Sequence, residues 1–435
     1  MSELYDAFAA AGKPRDQWRV GTEHEMIGVT SDAKPVRYEG EHGIGSLLAE
    51  LAARGWDPVR EGDTLIGLTK GASSISIEPG GQFEHASAPV KSGDDFCAEL
   101  RAYRAELAEV SRAHGVSWLS IGFRPFGTAD DVAWMPKGRY VIMREYLPTK
   151  GSLATEMMRR TATVQVNLDY ADADDARRKL RCAYSVTSLL TALYANSPIV
   201  DGKVAGWQSY RSNIWHDVDP DRCGFLPFIF SDGNVFEAYA EWALDVPMFF
   251  VYRGGSYVPA RGTTFRQFMS EGWGGYTATM DDWKIHLSTL FPEVRLKSYI
   301  ELRGCDVGSH GMIAGLGPLS CGFLYDDAAI DAATALTDSL SFSQRIELSR
   351  TVARSGLHTR LPGSTVTVGE LAKELVAIAT AGLKATAPND LHFIDPLREV
   401  AETGRTQSDR VVELFEQTSS TDERIAGLRY PAYSD

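Results

Sequence analysis

Residues 18–30 read WRVGTEHEMIGVT, a stretch in which the residues alternate well enough to predict a β-strand. Glu23 and Glu25 are two residues apart, so on a strand both carboxylates point to the same face. Two carboxylates on one strand face either lie in solvent or bind cations. This stretch alone leaves both interpretations open.

Further carboxylates lie on the predicted strands that follow. Residues 74–86, SISIEPGGQFEHA, form two strand-like runs around a Pro-Gly-Gly turn, which places Glu78 and Glu84 near the ends of adjacent strands. Gln165 and Glu301 lie on two more predicted strands. A sheet face lined in this way suits Mg²⁺, which takes a few carboxylates together with substrate phosphates. Exposed strand faces with alternating charge are the alternative.

Arginines accompany these strands. Arg160 precedes the strand of Gln165, Arg211 opens the run RSNIW, and Arg303 follows Glu301 by two residues. Arginine recognises carboxylates and phosphates in a bidentate manner, although a single arginine is more often a surface residue or a structural ion pair. The chain has no G-x-x-x-x-G-K-[ST] motif and no Rossmann G-x-G-x-x-G context, so bound phosphates would need arginines and metal ions.

The composition of the 435-residue chain sets wider bounds. Apolar residues make up 44% and charged residues 23%, which is typical of a chain with a substantial core. The net charge of −14 disfavours nucleic acid and anionic membranes as partners. No window of about 18 apolar residues and no signal-peptide pattern occurs, so we expect a cytoplasmic protein without a membrane span. Five scattered cysteines without C-x-x-C spacing argue against a disulfide framework or a zinc site.

The hydrophobic pattern predicts one α+β domain over residues 1–435. Strand-like runs dominate the first part, and from about residue 326 the chain reads as successive amphipathic helices. Further strands are predicted at 116–125, 161–170 and 298–304, and helices at 94–114, 174–195, 234–244, 263–271 and 281–290.

Ten motifs in the same order resemble those of the plant-type glutamate–cysteine ligases, which also occur in proteobacteria. The similarity runs in order from about residue 18 to the end of the chain with only modest gaps, and as a collinear set the motifs are far more specific than any one of them. The motifs are GTEHE (21–25), EPGGQFE (78–84), MPKGRY (135–140), MMRRTATVQVNLD (157–169), ANSP (195–198), RSNIWHDVD (211–219), ALDVPM (243–248), TFRQFM (264–269), FPEVRLKSYIELRG (291–304) and LYDD (324–327).

The resemblance implies a glutamine-synthetase-like fold, in which a curved antiparallel sheet forms a half-open funnel with helices around it. It also implies a reaction in which ATP phosphorylates the γ-carboxylate of L-glutamate and the α-amine of L-cysteine displaces the phosphate. The products are γ-glutamylcysteine, ADP and phosphate. Two or three Mg²⁺ ions are the implied cofactors, with Mn²⁺ as a substitute, and the implied assembly is a monomer or a homodimer.

Site residues follow from the same resemblance. Metal ligands are implied at Glu23, Glu25, Glu78, Glu84, Gln165 and Glu301. Arg303 and Arg160 are implied as catalytic groups, Lys297 and Arg303 as ATP contacts, and Arg160, Arg211, Tyr252 and Met26 as residues that bind the amino-acid substrates.

One segment departs from the family pattern. After ELRG, relatives carry two tryptophans, whereas residues 305–327 here read CDVGSHGMIAGLGPLSCGFLYDD and carry none. Lost indoles change the volume of a pocket considerably if they line it. A γ-glutamyl ligase that uses another small amine is therefore one alternative, and simple repacking of the segment is another. A third is a non-catalytic homologue that binds glutamate or nucleotide.

Overall fold

The protein is described by a computed structural model that covers residues 2–430. Its strands in this range are β1 (Val20–Val29), β2 (Asp57–Glu61), β3 (Thr64–Lys70), β4 (Ser73–Ile77), β5 (Phe83–Ala86), β6 (Ser117–Leu119), β7 (Thr163–Leu168), β8 (Ile199–Val200), β9 (Lys203–Val204), β10 (Cys223–Gly224), β11 (Phe250–Arg253), β12 (Ser256–Pro259), β13 (Phe291–Pro292), β14 (Val294–Leu296) and β15 (Ile300–Asp306).

Nine of these strands form one sheet in the order β14-β15-β7-β1-β5-β4-β3-β2, with β6 paired to the end of β1. All of its strand pairs are antiparallel. Strand β1 lies at the centre, because it pairs with β5, β6 and β7. The predicted antiparallel sheet in an α+β fold is therefore confirmed.

The helices are α1 (Ser2–Ala9), α2 (Ile44–Ala53), α3 (Gly93–Ala113), α4 (Gly138–Tyr146), α5 (Ala154–Arg160), α6 (Ala173–Leu193), α7 (Tyr210–Trp215), α8 (Val235–Asp245), α9 (Phe265–Glu271), α10 (Met280–Leu287), α11 (His310–Leu324), α12 (Asp327–Ala335), α13 (Phe342–Ser355), α14 (Val368–Thr386), α15 (Asp395–Thr403), α16 (Gln407–Gln417) and α17 (Thr421–Leu428). None of those between residues 2 and 430 is long and apolar enough to cross a membrane.

The helical C-terminal part begins earlier than expected, with α11 rather than near residue 326. Twelve of the fifteen residues of α11 are buried, so the helix has no polar face and its sequence shows no amphipathic period. Gly317 lies against the side chains of Val20 and Thr22 on β1. At Gly322 an added Cβ would come within 2.3 Å of the Ala379 carbonyl oxygen, so glycine permits close contact between α11 and α14.

This packing settles where the altered segment lies. Thr22 alternates with Glu23 along β1, so α11 covers the face of the sheet opposite to the carboxylates. Residues 310–324 therefore belong to the core behind the sheet. For residues 310–324, simple repacking is the alternative that this position favours.

The prediction of a strand over 116–125 is wrong for most of that range, because only Ser117–Leu119 forms a strand and pairs with β1. Beyond it, the N–H of Ser120 donates to the carbonyl of Leu428 and that of Gly122 to the carbonyl of Asn196. These backbone groups are satisfied by the end of α17 and by the segment after α6 rather than by a strand.

Candidate active site

One face of the main sheet collects most of the predicted polar residues. Glu23 on β1 lies opposite Gln165 on β7, and Glu25 lies opposite Glu84 on β5. Glu301 on β15 continues the same face beyond β7. Directly opposite residues on antiparallel strands share a face, so the strand registers bring these five side chains together.

The acidic end of this face consists of Glu25, Glu78 and Glu84. Burial, followed by repulsion from Glu78, raises the pKa of Glu25 to about 8. Burial also raises the pKa of Glu84 well above its ordinary value, and repulsion from Glu23, Glu78 and Glu25 adds to the effect. Lys137 precedes α4 and is attracted to Glu78 and Glu84. Burial lowers the pKa of Lys137, and the attraction to these two carboxylates opposes that effect.

Carboxylates that repel one another in this way fit a divalent cation, because a bound cation would remove the repulsion. Within residues 2–430, no three His, Cys, Asp or Glu side chains form a ready-made metal cage. That observation also fits Mg²⁺, which is commonly held by one or two carboxylates together with substrate phosphates and water. The residues present therefore suit a metal that binds together with a phosphorylated substrate.

The basic end of the face surrounds Glu301. Arg295 donates to both of its oxygens, from Nε at 2.7 Å and from Nη2 at 2.8 Å. Nη1 of Arg303 donates to Oε2 at 2.6 Å, and Nζ of Lys297 lies 3.5 Å from Oε1. Burial alone would raise the pKa of Glu301, but these three cations outweigh burial and hold the pKa well below its ordinary value.

The implied metal-ligand role of Glu301 therefore does not fit this arrangement. A carboxylate whose two oxygens already accept three hydrogen bonds from arginine has little capacity left for a cation. Its three cationic neighbours would also repel a metal ion. Glu301 instead holds Arg295 and Arg303 in place.

Gln165 connects the two ends of the face. Its Oε1 accepts a hydrogen bond of 2.7 Å from Arg303, and its Nε2 lies 3.4 Å from Oε2 of Glu23. Asn167 donates to the other oxygen of Glu23 at 2.6 Å. A side-chain amide that accepts from arginine and donates to a carboxylate positions both groups, and no metal ion is needed to explain this contact.

Arg211 lies beside the basic end. Its Nη2 donates to the backbone carbonyl of Arg303 at 2.9 Å, and both arginines line a small cavity with Glu293, Trp215 and Phe291. Burial raises the pKa of Glu293, and attraction to the two arginines opposes that effect. The cavity has a volume of about 30 Å³, enough for one or two water molecules, so it could receive one charged group of an amino acid but not the whole molecule.

The structure does not place Arg160 with this group. Its guanidinium donates to Glu156 at 3.0 Å, to Asp201 at 2.8 Å and to the carbonyl of Gly127 at 2.8 Å. It also lies over the ring of Phe123. The implied catalytic and substrate-binding roles are corrected, because its side chain is buried and its donors hold neighbouring loops together.

Met26 lies on the opposite face of β1, and Tyr252 lies on a separate hairpin. Met26 is opposite Phe83 and fully buried, because it occupies an even position of β1 that alternates with Glu23 and Glu25. Tyr252 belongs to the separate β11–β12 hairpin, is 37% exposed and packs on Tyr257. Met26 is a core residue rather than part of a substrate pocket.

Two residues at the site, Lys137 and Glu293, were not predicted from the sequence to have roles there. Both lie inside the quoted motifs MPKGRY and FPEVRLKSYIELRG. Membership of those motifs was the available signal. Their partners are distant in sequence or on another strand, and periodicity within one strand does not reveal such contacts.

The antiparallel sheet and its paired acidic and basic ends define a protein with the glutamate–cysteine ligase fold. The solved glutamate–cysteine ligase of Francisella tularensis in complex with AMP superposes with a TM-score of 0.61 at 13% identity, over 94% of this chain and 87% of that one. The sequence model of glutamate–cysteine ligase family 2 matches residues 19–427. The chain belongs to that family, and the resemblance of the motifs is confirmed.

Two relatives show how close the similarity is. The chloroplastic glutamate–cysteine ligase of Medicago truncatula is 42% identical over 418 residues, which cover 95% of this chain and 81% of the relative. The chloroplastic enzyme of Arabidopsis thaliana is 41% identical over 415 residues, covering 94% and 78%. Because these relatives are named as chloroplastic, the expected cytoplasmic location is contradicted.

Proposed function

We propose that this protein joins the γ-carboxylate of L-glutamate to the α-amine of L-cysteine at the expense of ATP, within a single catalytic domain. An oxygen of the γ-carboxylate attacks the γ-phosphorus of ATP, and ADP leaves. The amine nitrogen then attacks the carbonyl carbon of γ-glutamyl phosphate. Phosphate departs, the amine loses a proton, and γ-glutamylcysteine is formed.

The observation that carries the proposal is the division of one sheet face into an acidic and a basic end. Glu25, Glu78 and Glu84 repel one another at the acidic end, and we propose that they, with Glu23, hold Mg²⁺ or Mn²⁺. Such an ion would offset the charge of the ATP phosphates. Gln165 and Glu301 are left out of this metal set, because arginines occupy their oxygens.

At the basic end, Arg303 and Lys297 are the groups we assign to the transferred phosphoryl group. Glu301 holds both, by contacts of 2.6 Å and 3.5 Å, so their charges are in place before substrate binds. Preorganised charge of this kind stabilises a phosphoryl-transfer transition state without rearrangement. Each such group typically contributes a factor of about 10² to 10³ in kcat.

The cavity beside Arg211 is assigned to the carboxylate of an amino-acid substrate, since its volume of about 30 Å³ admits a single charged group. Arg211 and Arg303 offer cationic donors on one side, and Glu293 offers a carboxylate on the other. A planar guanidinium can contact a carboxylate through two parallel hydrogen bonds. Because residues 310–324 pack behind the sheet, they give no reason to expect an acceptor other than cysteine.

The test is ADP release with glutamate and ATP at saturation, with and without each of twenty candidate amines, and with the product identified by mass spectrometry. Cysteine is expected to give γ-glutamylcysteine, and 2-aminobutyrate to be a weaker substitute. A pocket that selects by size separates near-isosteres by only about 1–3 kcal/mol. An amine preferred over cysteine by more than about a hundredfold would overturn the choice of acceptor. Absence of glutamate-dependent ADP release would overturn the ligase proposal.

A further inference from the structure

A β-bulge in β15 brings a buried carboxylate to the active-site face of the sheet. Leu302 of β15 lies opposite Val166 of β7, and further along Asp306 lies opposite Thr163. The step from Leu302 to Asp306 is four residues and that from Val166 to Thr163 is three, so β15 carries one extra residue. Regular alternation would turn Asp306 away from the face of Glu301, whereas the bulge places both on the same face. No step of the proposed reaction involves Asp306.

The carboxylate of Asp306 is enclosed by hydrogen-bond donors. The residue is 1% exposed. Its Oδ2 accepts from the N–H of Asn196 at 2.9 Å and from the hydroxyl of Ser197 at 2.7 Å, and its Oδ1 accepts from the hydroxyl of Ser209 at 2.9 Å. Asn196 and Ser197 belong to the motif ANSP. A buried carboxylate with donors on both oxygens is fixed in position.

The two serines connect this carboxylate to the start of α7. The hydroxyl oxygen of Ser197 accepts from the backbone N–H of Arg211, and that of Ser209 accepts from the N–H of Ser212, both at 3.1 Å. Ser209 is the N-cap of α7, and both serines are fully buried. The first turn of α7, which carries Arg211, is therefore tied through two hydroxyl groups to one carboxylate.

Asp306 also acts on the charged end of Arg211. Nη1 of Arg211 lies 4.0 Å from Oδ1 of Asp306, and both side chains are buried. Burial lowers the pKa of Arg211, and attraction to Asp306 is the largest effect that opposes this. Nη2 donates to the carbonyl of Arg303 at 2.9 Å, inside the bulge. The guanidinium is therefore held by a carboxylate and a carbonyl that both belong to β15.

We propose that Asp306 is a positioning residue for the amino-acid substrate whose carboxylate binds at Arg211. It fixes the start of α7 through Ser197 and Ser209. It also offsets the positive charge of Arg211 before a substrate arrives. A side chain that is fixed in advance loses little conformational entropy on binding, which favours affinity. The inference rests on the proposed function, because it takes the cavity beside Arg211 as the carboxylate site.

The test compares the parent protein with Asp306→Asn, Arg211→Lys and the double variant. Calorimetric titration with L-glutamate and with L-cysteine, in the presence of Mg²⁺ and a non-hydrolysable ATP analogue, measures affinity without turnover. Steady-state kinetics measures KM and kcat. Asp390→Asn is the matched control, because Asp390 is also buried and also holds the start of a helix. Its Oδ2 accepts at 3.0 Å from the N–H of Gly93, the first residue of α3 rather than of α7.

Asp306→Asn is expected to weaken binding of the same amino acid as Arg211→Lys does, by about tenfold. The KM for that amino acid should rise while kcat stays close to that of the parent, since only substrate binding is weakened. The double variant should bind within about twofold of Arg211→Lys alone, because effects that act through one residue are not additive. Asp390→Asn should lower the melting temperature and leave both affinities unchanged.

Should Asp306→Asn fail to fold, Ser197→Ala decides, because it keeps the charge of Asp306 and breaks the link to the backbone of Arg211. Unchanged affinity in the deciding variant, or effects that add in its double variant with Arg211→Lys, overturns the inference. An equal loss of affinity in Asp390→Asn also overturns it, as does a parent that binds neither amino acid. A parent that binds in the expected pattern but releases no glutamate-dependent ADP refutes the ligase proposal and supports the positioning role.

Discussion

Glu25 on β1 lies directly opposite Glu84 on β5, and both carboxylates have raised pKa values. Like charges in directly opposite positions destabilise a pair of strands. The fold therefore keeps an arrangement that weakens the metal-free protein. The proposed metal site accounts for this arrangement, because a cation bound between the strands would attract both carboxylates and offset their mutual repulsion.

The stability of the metal-free protein should depend on Glu25. Its folded pKa of about 8 exceeds the value near 4.3 expected in the unfolded chain, so between these pH values the folded state binds more protons. Its contribution to the free energy of unfolding therefore falls as pH rises through this window, by at most about 1.4 kcal/mol per pH unit. Urea unfolding at pH 5, 6.5 and 8 in EDTA, for the parent and Glu25→Gln, measures the effect.

Comparing the parent with Glu25→Gln separates the effect of Glu25 on the pH dependence of stability from that of the other titratable groups. Buried histidines such as His216 and His286, whose pKa values are lowered by burial, produce the opposite slope below about pH 6.5 in both proteins. Mg²⁺ should stabilise the parent more than Glu25→Gln at pH 8. Equal pH dependence in the two proteins would show that Glu25 is not part of a repelling cluster.

Glu301→Gln should destabilise the fold whether or not Mg²⁺ is present. The change removes the charge that compensates Arg295, which is 7% exposed, and breaking a buried ion pair costs about 3–5 kcal/mol. Glu25→Gln provides the contrast, because removing a repelled carboxylate should leave the metal-free protein at least as stable as the parent. Melting temperatures in EDTA check both. A stable Glu301→Gln protein that has lost only its Mg²⁺ dependence would restore the metal-ligand role.

Arg160→Lys and Arg211→Lys should separate a structural arginine from a substrate-binding one. Lysine cannot reproduce the three contacts of Arg160 to Glu156, Asp201 and Gly127, so the melting temperature should fall while the KM for glutamate stays unchanged. Arg211→Lys should raise the KM for an amino-acid substrate. Steady-state kinetics below the melting temperature measure this, and a reversed pattern contradicts both assignments.

The activity should not respond to reductant. All five cysteines are free thiols, and burial raises the pKa values of Cys97, Cys182, Cys223 and Cys321 to about 11 or 12. Five thiols should therefore titrate after denaturation, whereas the native protein should react slowly. Equal kcat with and without dithiothreitol is expected. Fewer than five thiols after denaturation without reductant would reveal a disulfide.

The pattern of apolar and turn-forming residues along the chain was sufficient to predict elements that depend only on neighbouring residues. The strand at 18–30 and the turn between β4 and β5 both match the structure, because each depends on neighbours in sequence. Helix α11 was missed as a helix, since burial on all sides removes its polar face. The role of Met26 failed although alternation along β1 already placed it on the face opposite to Glu23 and Glu25. The role of Arg160 failed because its partners Gly127 and Asp201 are distant in sequence, and no local pattern reveals such contacts.

The sequence by itself determined that Glu23 and Glu25 share a face of one strand, that the sheet is antiparallel, and which family the chain belongs to. Period-two alternation and collinear motifs are properties of the chain, and they need no tertiary contact. Only the tertiary structure decided that Glu25 meets Glu84, that Arg295 and Arg303 occupy Glu301, and that Arg160 is structural. Those outcomes depend on strand register and on burial, which set the strength of each charge interaction through the surrounding dielectric and hydrogen bonds.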